Sequence, residues 1–417
     1  MTRLRIPANM TAMFSLLLLT ACVPASHYPM GDPQGPYPLP SPPQVGKIAH
    51  LPTGFYVSKE QMLAVAGDAR VVYIGETHDN PASHRLELEV LQGLDDLHPG
   101  RQALAMEMFT PSQQPVLDRW VAGELDEKSF LKESRWFETW SMDFAYYRDL
   151  LVFCRDRKIP VIGLNADKKL VSEVRAVPLD RLSSEERARL PEMDLTDPYQ
   201  RAMVATVFGD HTHGDMALDG FVRAQTLRDE TMADTAARYL QSPAGSGRHL
   251  LVIAGGYHIA NGYGIPRRVF RRIPVSSVLI GGQEIEVPDS KRQELMSINL
   301  PDFPMVPYDF LAFFAYEEMR ETGVRLGVMV EAAPSGRGLV VKKVVAGSNA
   351  ERSGIAAGDL LLSLDGDPLK ESLDLTYAVK RKRPGDHGSL RVERQGQTRD
   401  VDVLFQAGVG TPPLEKR

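Results

Sequence analysis

The chain reads as an α/β protein, a parallel sheet flanked by helices, followed by a small β-rich domain. Three observations predict this. Short, wholly apolar runs recur between helix-like stretches, as in buried parallel strands. Each run ends in polar, ligand-capable residues. A Gly-punctuated, strand-dense segment then closes the chain after a Pro cluster at 301, 304 and 307. The 417 residues, 43% hydrophobic and 24% charged, suffice for two or three domains with their own cores. Two cysteines exclude a disulfide-stapled mini-protein. A net charge of −6, from 48 basic and 54 acidic residues, excludes a nucleic-acid footprint. Beyond residue 25 no apolar run approaches the roughly 20 residues that span a bilayer.

At the amino end Arg3 and Arg5 precede the apolar stretch Met13 to Leu19. The next residues, Leu19-Thr20-Ala21-Cys22, resemble a bacterial lipobox. That resemblance implies a signal peptide over 1–21 and acylation of Cys22, so that the membrane is met by a lipid anchor alone. Val23, where an inner-membrane retention signal has Asp, points to the outer membrane on its periplasmic side. Residues 22–52 carry Pro at 24, 29, 33, 36, 38, 40, 42, 43 and 52 and read as an extended linker.

The body, 53–300, holds the recurrent runs Val71 to Ile74, Ala103 to Met106, Pro160 to Leu164, Leu250 to Ala254 and Val275 to Ile280. Helices are predicted from Pro81 to Leu97, around Phe144 to Arg157, and from Asp215 to Leu240. In open α/β sheets, ligands bind beyond the carboxyl ends of strands. The first run hands over Glu76 and His78, the second Glu107, the third Asn165 and Asp167, and the fourth Tyr257 and His258. Four tips at one edge predict a functional cleft. His78 and His258 with Glu76 and Glu107 suit general acid–base work. His78, His258 and Glu107 also suit a divalent metal, although no close ligand spacing such as HExxH is present.

Several blocks carry a family resemblance. Gly75-Glu76-Thr77-His78-Asp79-Asn80-Pro81, Met106-Glu107-Met108-Phe109, Gly163-Leu164-Asn165-Ala166 and Ala254-Gly255-Gly256-Tyr257-His258 resemble the signature blocks of the ChaN-like haem-binding lipoproteins. Trp140 with Tyr147-Arg148-Asp149-Leu150-Leu151, and Gln225 with Arg228-Asp229-Glu230-Thr231-Met232-Ala233, fit the same order. The wider superfamily, with Tiki, TraB and erythromycin-esterase relatives, includes hydrolases and metal-dependent proteases, so fold alone does not fix chemistry. The resemblance implies haem or iron uptake, with two haems face to face between two subunits of a homodimer and each iron on a tyrosine. Tyr147 best matches that tyrosine, with Tyr146 and Tyr257 as rivals; His78, His258, Asn165, Gln225 and His211 complete the expected haem set. Phe144, Tyr147, Leu151 and Cys154 also form one helical stripe, which is what a core position looks like.

A connector is expected over 301–323, with a short helix from Tyr308 to Glu321. Residues 324–407 resemble a PDZ domain. Its central block is Gly347-Ser348-Asn349-Ala350-Glu351-Arg352-Ser353-Gly354-Ile355-Ala356-Ala357-Gly358-Asp359-Leu360-Leu361, and Arg325-Leu326-Gly327-Val328 matches the carboxylate-binding loop. Such a module binds a peptide or protein carboxyl terminus by strand addition. Two functions follow: a haem-binding lipoprotein docked to an envelope partner, or a hydrolase whose PDZ module feeds it a peptide tail.

Overall fold

Apolar residues at period two explain the first sheet. Its strands are β1 (Ile48–His50), β2 (Phe55–Val57), β3 (Val71–Glu76), β4 (Gln102–Met106), β5 (Val161–Gly163), β6 (His249–Gly255), β7 (Ser277–Glu286) and β8 (Phe310–Ala315). In β3, β4 and β6, Val72, Ile74, Leu104, Met106, Leu251 and Ile253 enter one core with Trp120, Phe130 and Trp136. The alternate residues Val71, Tyr73, Ala103, Ala105, Leu250 and Val252 enter a second core with Met232, Ala236 and Val269. Both faces are therefore covered by helices, which is why these strands read as unbroken apolar runs. Full burial of each Val, Leu or Ile contributes about 1.5–3 kcal/mol. The computed structural model describes residues 37–140, 142–208, 215–292, 303, 305–319 and 323–407. The predicted signal peptide, Cys22 and His211 lie outside the described residues.

The sheet order is β2-β1-β8-β7-β3-β6-β4-β5. From β8 to β5 the strands are parallel, and β1 and β2 extend that edge antiparallel. The sheet is thus mixed rather than wholly parallel. Two boundary expectations give way here. Tyr308 to Glu321 does not form a connecting helix: Phe310–Ala315 is β8, pairing with β7. Six apolar residues are too few for periodicity to separate strand from helix, and burial of Phe310, Ala312 and Phe313 against the sheet decides it. Ile48–His50, inside the expected linker, pairs with β8 and belongs to the same sheet.

The helices supply the covering layers. Asn80 caps the helix Pro81–Leu97, its side chain accepting from Ala82 N at 2.9 Å, and Pro81 suits the first turn. Leu86, Val90 and Leu94, four residues apart, form its buried face. The 27-residue helix Asp215–Gln241 lies on the opposite face.

The second sheet comprises β9 (Val328–Ala332), β10 (Leu339–Val344), β11 (Leu360–Leu364), β12 (Asp367–Pro368), β13 (His387–Arg394) and β14 (Gln397–Leu404). They pair antiparallel in the order β14-β13-β11-β10-β9, with β12 on β11 and β9 at the edge. The helix Ser372–Lys380, predicted as the groove helix, packs beside β9. Buried Asp359, in the Gly-rich block, is clasped by Arg394 at 2.6 and 2.7 Å, fixing that turn to β13.

Candidate ligand cavity at the strand ends

Register places the chemistry. Glu76 of β3 pairs in register with Gly255 of β6, and Met106 of β4 with Ile253. Glu76, Glu107 and the Gly255 to His258 turn therefore leave the sheet at one level. They line a cavity of about 270 Å³ together with His78, Gln225, Arg228 and Tyr257. At Gly255 a Cβ would come 3.0 Å from His78 Nε2, tight enough that His78 would have to shift.

His258 is 6% exposed and claimed at both nitrogens: Nδ1 lies 2.5 Å from Asp229 Oδ1 and Nε2 3.3 Å from Glu107 Oε1. Gln225 adds its amide 3.1 Å from Nδ1. Burial disfavours the charged ring, but Glu107 and Asp229 outweigh it and raise the His258 pKa to about 10. Burial alone would raise Glu107; the His258 charge instead holds it well below the usual carboxylate range, and Gly255 N donates to it at 2.8 Å. His258 and Glu107 therefore form an ion pair at neutral pH, with Asp229 bonded to the other ring nitrogen.

His78 Nδ1 bonds Glu76 Oε1, and its pKa rises to about 9 because the Glu76 and Glu107 charges overcome burial. Its Nε2 has no hydrogen-bond partner among the described residues, and the side chain is 23% exposed. Glu76 is fully enclosed. Burial, then the charge of Glu87, pushes its pKa up to about 7, and Glu87 itself is raised to about 7 by burial. His84 Nδ1 lies 3.2 Å from Glu87 and 3.4 Å from Glu76.

Of the sequence-expected residues, Glu76, His78, Glu107, His258 and Gln225 line one cavity. Tyr147 and Asn165 do not line the cavity. Tyr147 is wholly buried, and its hydroxyl donates to Glu76 Oε1 at 2.9 Å, so it positions Glu76 instead of facing a ligand. Asn165 turns its Oδ1 onto the backbone of Ala166. The expected metal trio also fails. Among the described residues the group with metal-ligand spacing is Glu76, His84 and Glu87, while His258 spends both nitrogens on carboxylates.

Two cavity residues stand in a block that carries the family resemblance but were given no site role from sequence. Arg228 has no ion pair or hydrogen bond among the described residues, so a half-buried guanidinium faces the cavity uncompensated. Asp229 orients His258. With Gln225 they stand at i, i+3 and i+4 on one helix, a polar stripe that was the available signal.

Residues 62–269 match the family model described as haem-binding uptake, Tiki superfamily, ChaN, and residues 324–404 match the PDZ domain model. The Campylobacter jejuni ChaN structure described as binding haem cofacially is 17% identical, covers 65% of this chain and 98% of its own, with a TM-score of 0.49. A DegP-like periplasmic serine endoprotease of Hahella chejuensis is 37% identical over 67 residues, 16% of this chain and 14% of its own length. Escherichia coli DegQ, a periplasmic pH-dependent serine endoprotease, is 34% identical over 87 residues, 19% of each chain. The chain thus spans under a fifth of the length of these curated relatives.

Proposed function

Residues 62–269 belong to the haem-binding uptake family of the Tiki superfamily that includes ChaN, and residues 324–404 are a PDZ domain; on that premise we propose a haem-capturing envelope protein whose PDZ domain docks it to a peptide partner. The carrying observation is the unclaimed chemistry of the cavity. Among the described residues His78 Nε2 and the Tyr257 hydroxyl have no hydrogen-bond partner and line the cavity, and imidazole and phenolate are both haem ligands. Arg228 supplies the counter-charge for a propionate carboxylate. At about 270 Å³ the cavity is smaller than the roughly 300–1,000 Å³ of sites that enclose drug-sized ligands. It admits part of a macrocycle and leaves the rest uncovered, which fits a second subunit completing the site. Haem is the cargo here, and this chain's residues bind and orient it.

The pKa values add a condition. His78 is raised to about 9 and Tyr257, by burial, to about 12, so either must release a proton to hold iron. Affinity for hemin then rises with pH from 6 to 9. The test is a hemin titration of the full chain followed by its Soret band. Loss of the shifted band in His78→Ala or Tyr257→Phe supports the reading, and full retention in both overturns it. Sedimentation with and without hemin reads the dimer.

The Leu19 to Cys22 motif and the periplasmic names of the PDZ relatives support a lipid-anchored envelope location. Cys22→Ser should then abolish palmitate labelling. The chain Asp229–His258–Glu107 favours a second reading, a metal-free acid–base hydrolase. It predicts hydrolysis that persists in chelator and is lost in His258→Gln.

A further inference from the structure

A larger opening, about 1020 Å³, lies between the two domains. One wall is the PDZ groove, formed by edge strand β9, the helix Ser372–Lys380 and the loop Arg325–Val328. Gly327 sits at φ +83°, and a Cβ there would strike Ser348, so the loop's tight turn requires glycine. The other wall is body surface: Asp79, Phe137, Asp143, Tyr146 and Arg148. Among the described residues, ion pairs join the domains around it: Lys128–Asp374 at 2.7 Å, Lys132–Glu371 at 2.5 Å and Lys380–Asp143 at 2.6 Å.

The charges of this cleft are almost all matched. Glu127 pairs with Arg148, Asp143 with Lys380 and Glu318 with Lys291. Among the described acidic residues lining the cleft, Asp79 is the one without an ion pair, and Arg381 lines the cleft without one as well. The Asp79 Oδ1 is buried without a hydrogen-bond partner among the described residues. Its carbonyl is held by the Tyr146 hydroxyl at 3.0 Å, which fixes this wall.

We infer that the cleft is one composite site for the carboxyl-terminal segment of a partner polypeptide, paired to β9 with its apolar last residue among Leu326, Leu375 and Val379, and carrying upstream a Lys or Arg that Asp79 receives from the body. This deepens the docking role proposed above and rests on it. The PDZ groove sets the carboxyl terminus, while the body adds a charge requirement that a free-standing groove lacks.

Fluorescence anisotropy of the full chain tests this with dye-labelled octapeptides ending in one apolar residue. Each carries a single Lys, moved through the fourth to sixth positions from the end, or Ala there. The expected result is one Lys peptide bound about fivefold tighter than its Ala partner, the upper range for a half-exposed ion pair. Asp79→Asn should erase that preference and leave the Ala peptide's affinity unchanged; Asp79→Glu should keep part of it. Matching thermal unfolding of both variants and the parent shows that the fold is retained. Equal affinities for Lys and Ala peptides, or a Lys preference that survives Asp79→Asn, overturn the composite site while PDZ docking stands. Absence of binding by every peptide overturns both.

Discussion

Tyr147 donates its hydroxyl proton to Glu76 Oε1 across 2.9 Å, inside a core that excludes water. The bond holds a carboxyl that also orients His78. Tyr147→Phe leaves that oxygen with His78 as its one remaining donor and should cost about 0.5–1.5 kcal/mol of stability, the usual worth of one lost hydrogen bond. If Tyr147 ligated iron, the Soret maximum of bound hemin would move. We expect it to stay in place while the melting temperature falls, and visible spectra beside thermal denaturation separate the two.

The paired histidines fix the sign of the pH dependence. His78 and His258 have folded pKa values of about 9 and 10, above the ordinary 6.5. Their contribution is complete below pH 6.5 and is lost as pH rises through 9 and 10. Glu107, depressed by the same His258 charge, contributes above its ordinary 4.5 and loses that contribution in acid. The melting temperature should therefore fall from pH 7 to 10 and again below about pH 4. His258→Gln should be less stable at pH 7 and flatten the alkaline fall. An alkaline limb unchanged by that substitution would show that the Asp229–His258–Glu107 chain is not its source.

Much of the site was legible because parallel strands deliver their tips to one edge. Glu107 stands directly past its apolar run, Glu76 two residues past the first and His258 four past the fourth, so reading on from the end of each run found them. Arg228 and Asp229 lie mid-helix, where a polar residue looks solvent-facing until the helix's packing is known. Tyr147 matched a family block and a core stripe equally well, and only burial separates the two. The short segment Phe310–Ala315 shows the same limit in the fold, since its partner β7 and not its own pattern makes it a strand.

Glu87 offers a test of the buried network behind His78. Its carboxyl is fully enclosed, with Oε1 lacking a partner, and burial lifts its pKa to about 7. A raised carboxyl pKa means that the protonated form is the one folding favours. Its stabilising effect therefore declines as pH rises from about 4.5 to 7. Glu87→Gln keeps the shape, removes the titration and gives the orphaned Glu76 Oε2 an amide donor. We expect the variant to melt higher than the parent at pH 8, with the difference vanishing near pH 5. A lower melting temperature at both values would mean that the charged carboxylate is needed, as a bound cation at Glu76, His84 and Glu87 would require.

Arg228 bears most directly on the cargo. Each neighbouring acid has a partner: Asp229 and Glu107 hold His258, and Glu76 holds His78. The guanidinium is left for the ligand. Its bond to a carboxylate in a half-buried site is a charged one, worth about 1.5–3 kcal/mol, or roughly 10- to 100-fold in affinity. Arg228→Met should weaken hemin by that factor and leave hemin dimethyl ester, which lacks free carboxylates, nearly unaffected. Parent protein should correspondingly prefer hemin to the ester. Equal affinity of the parent for both, measured by Soret titration at pH 7, would remove the propionate contact and leave Arg228 to an anion of another kind.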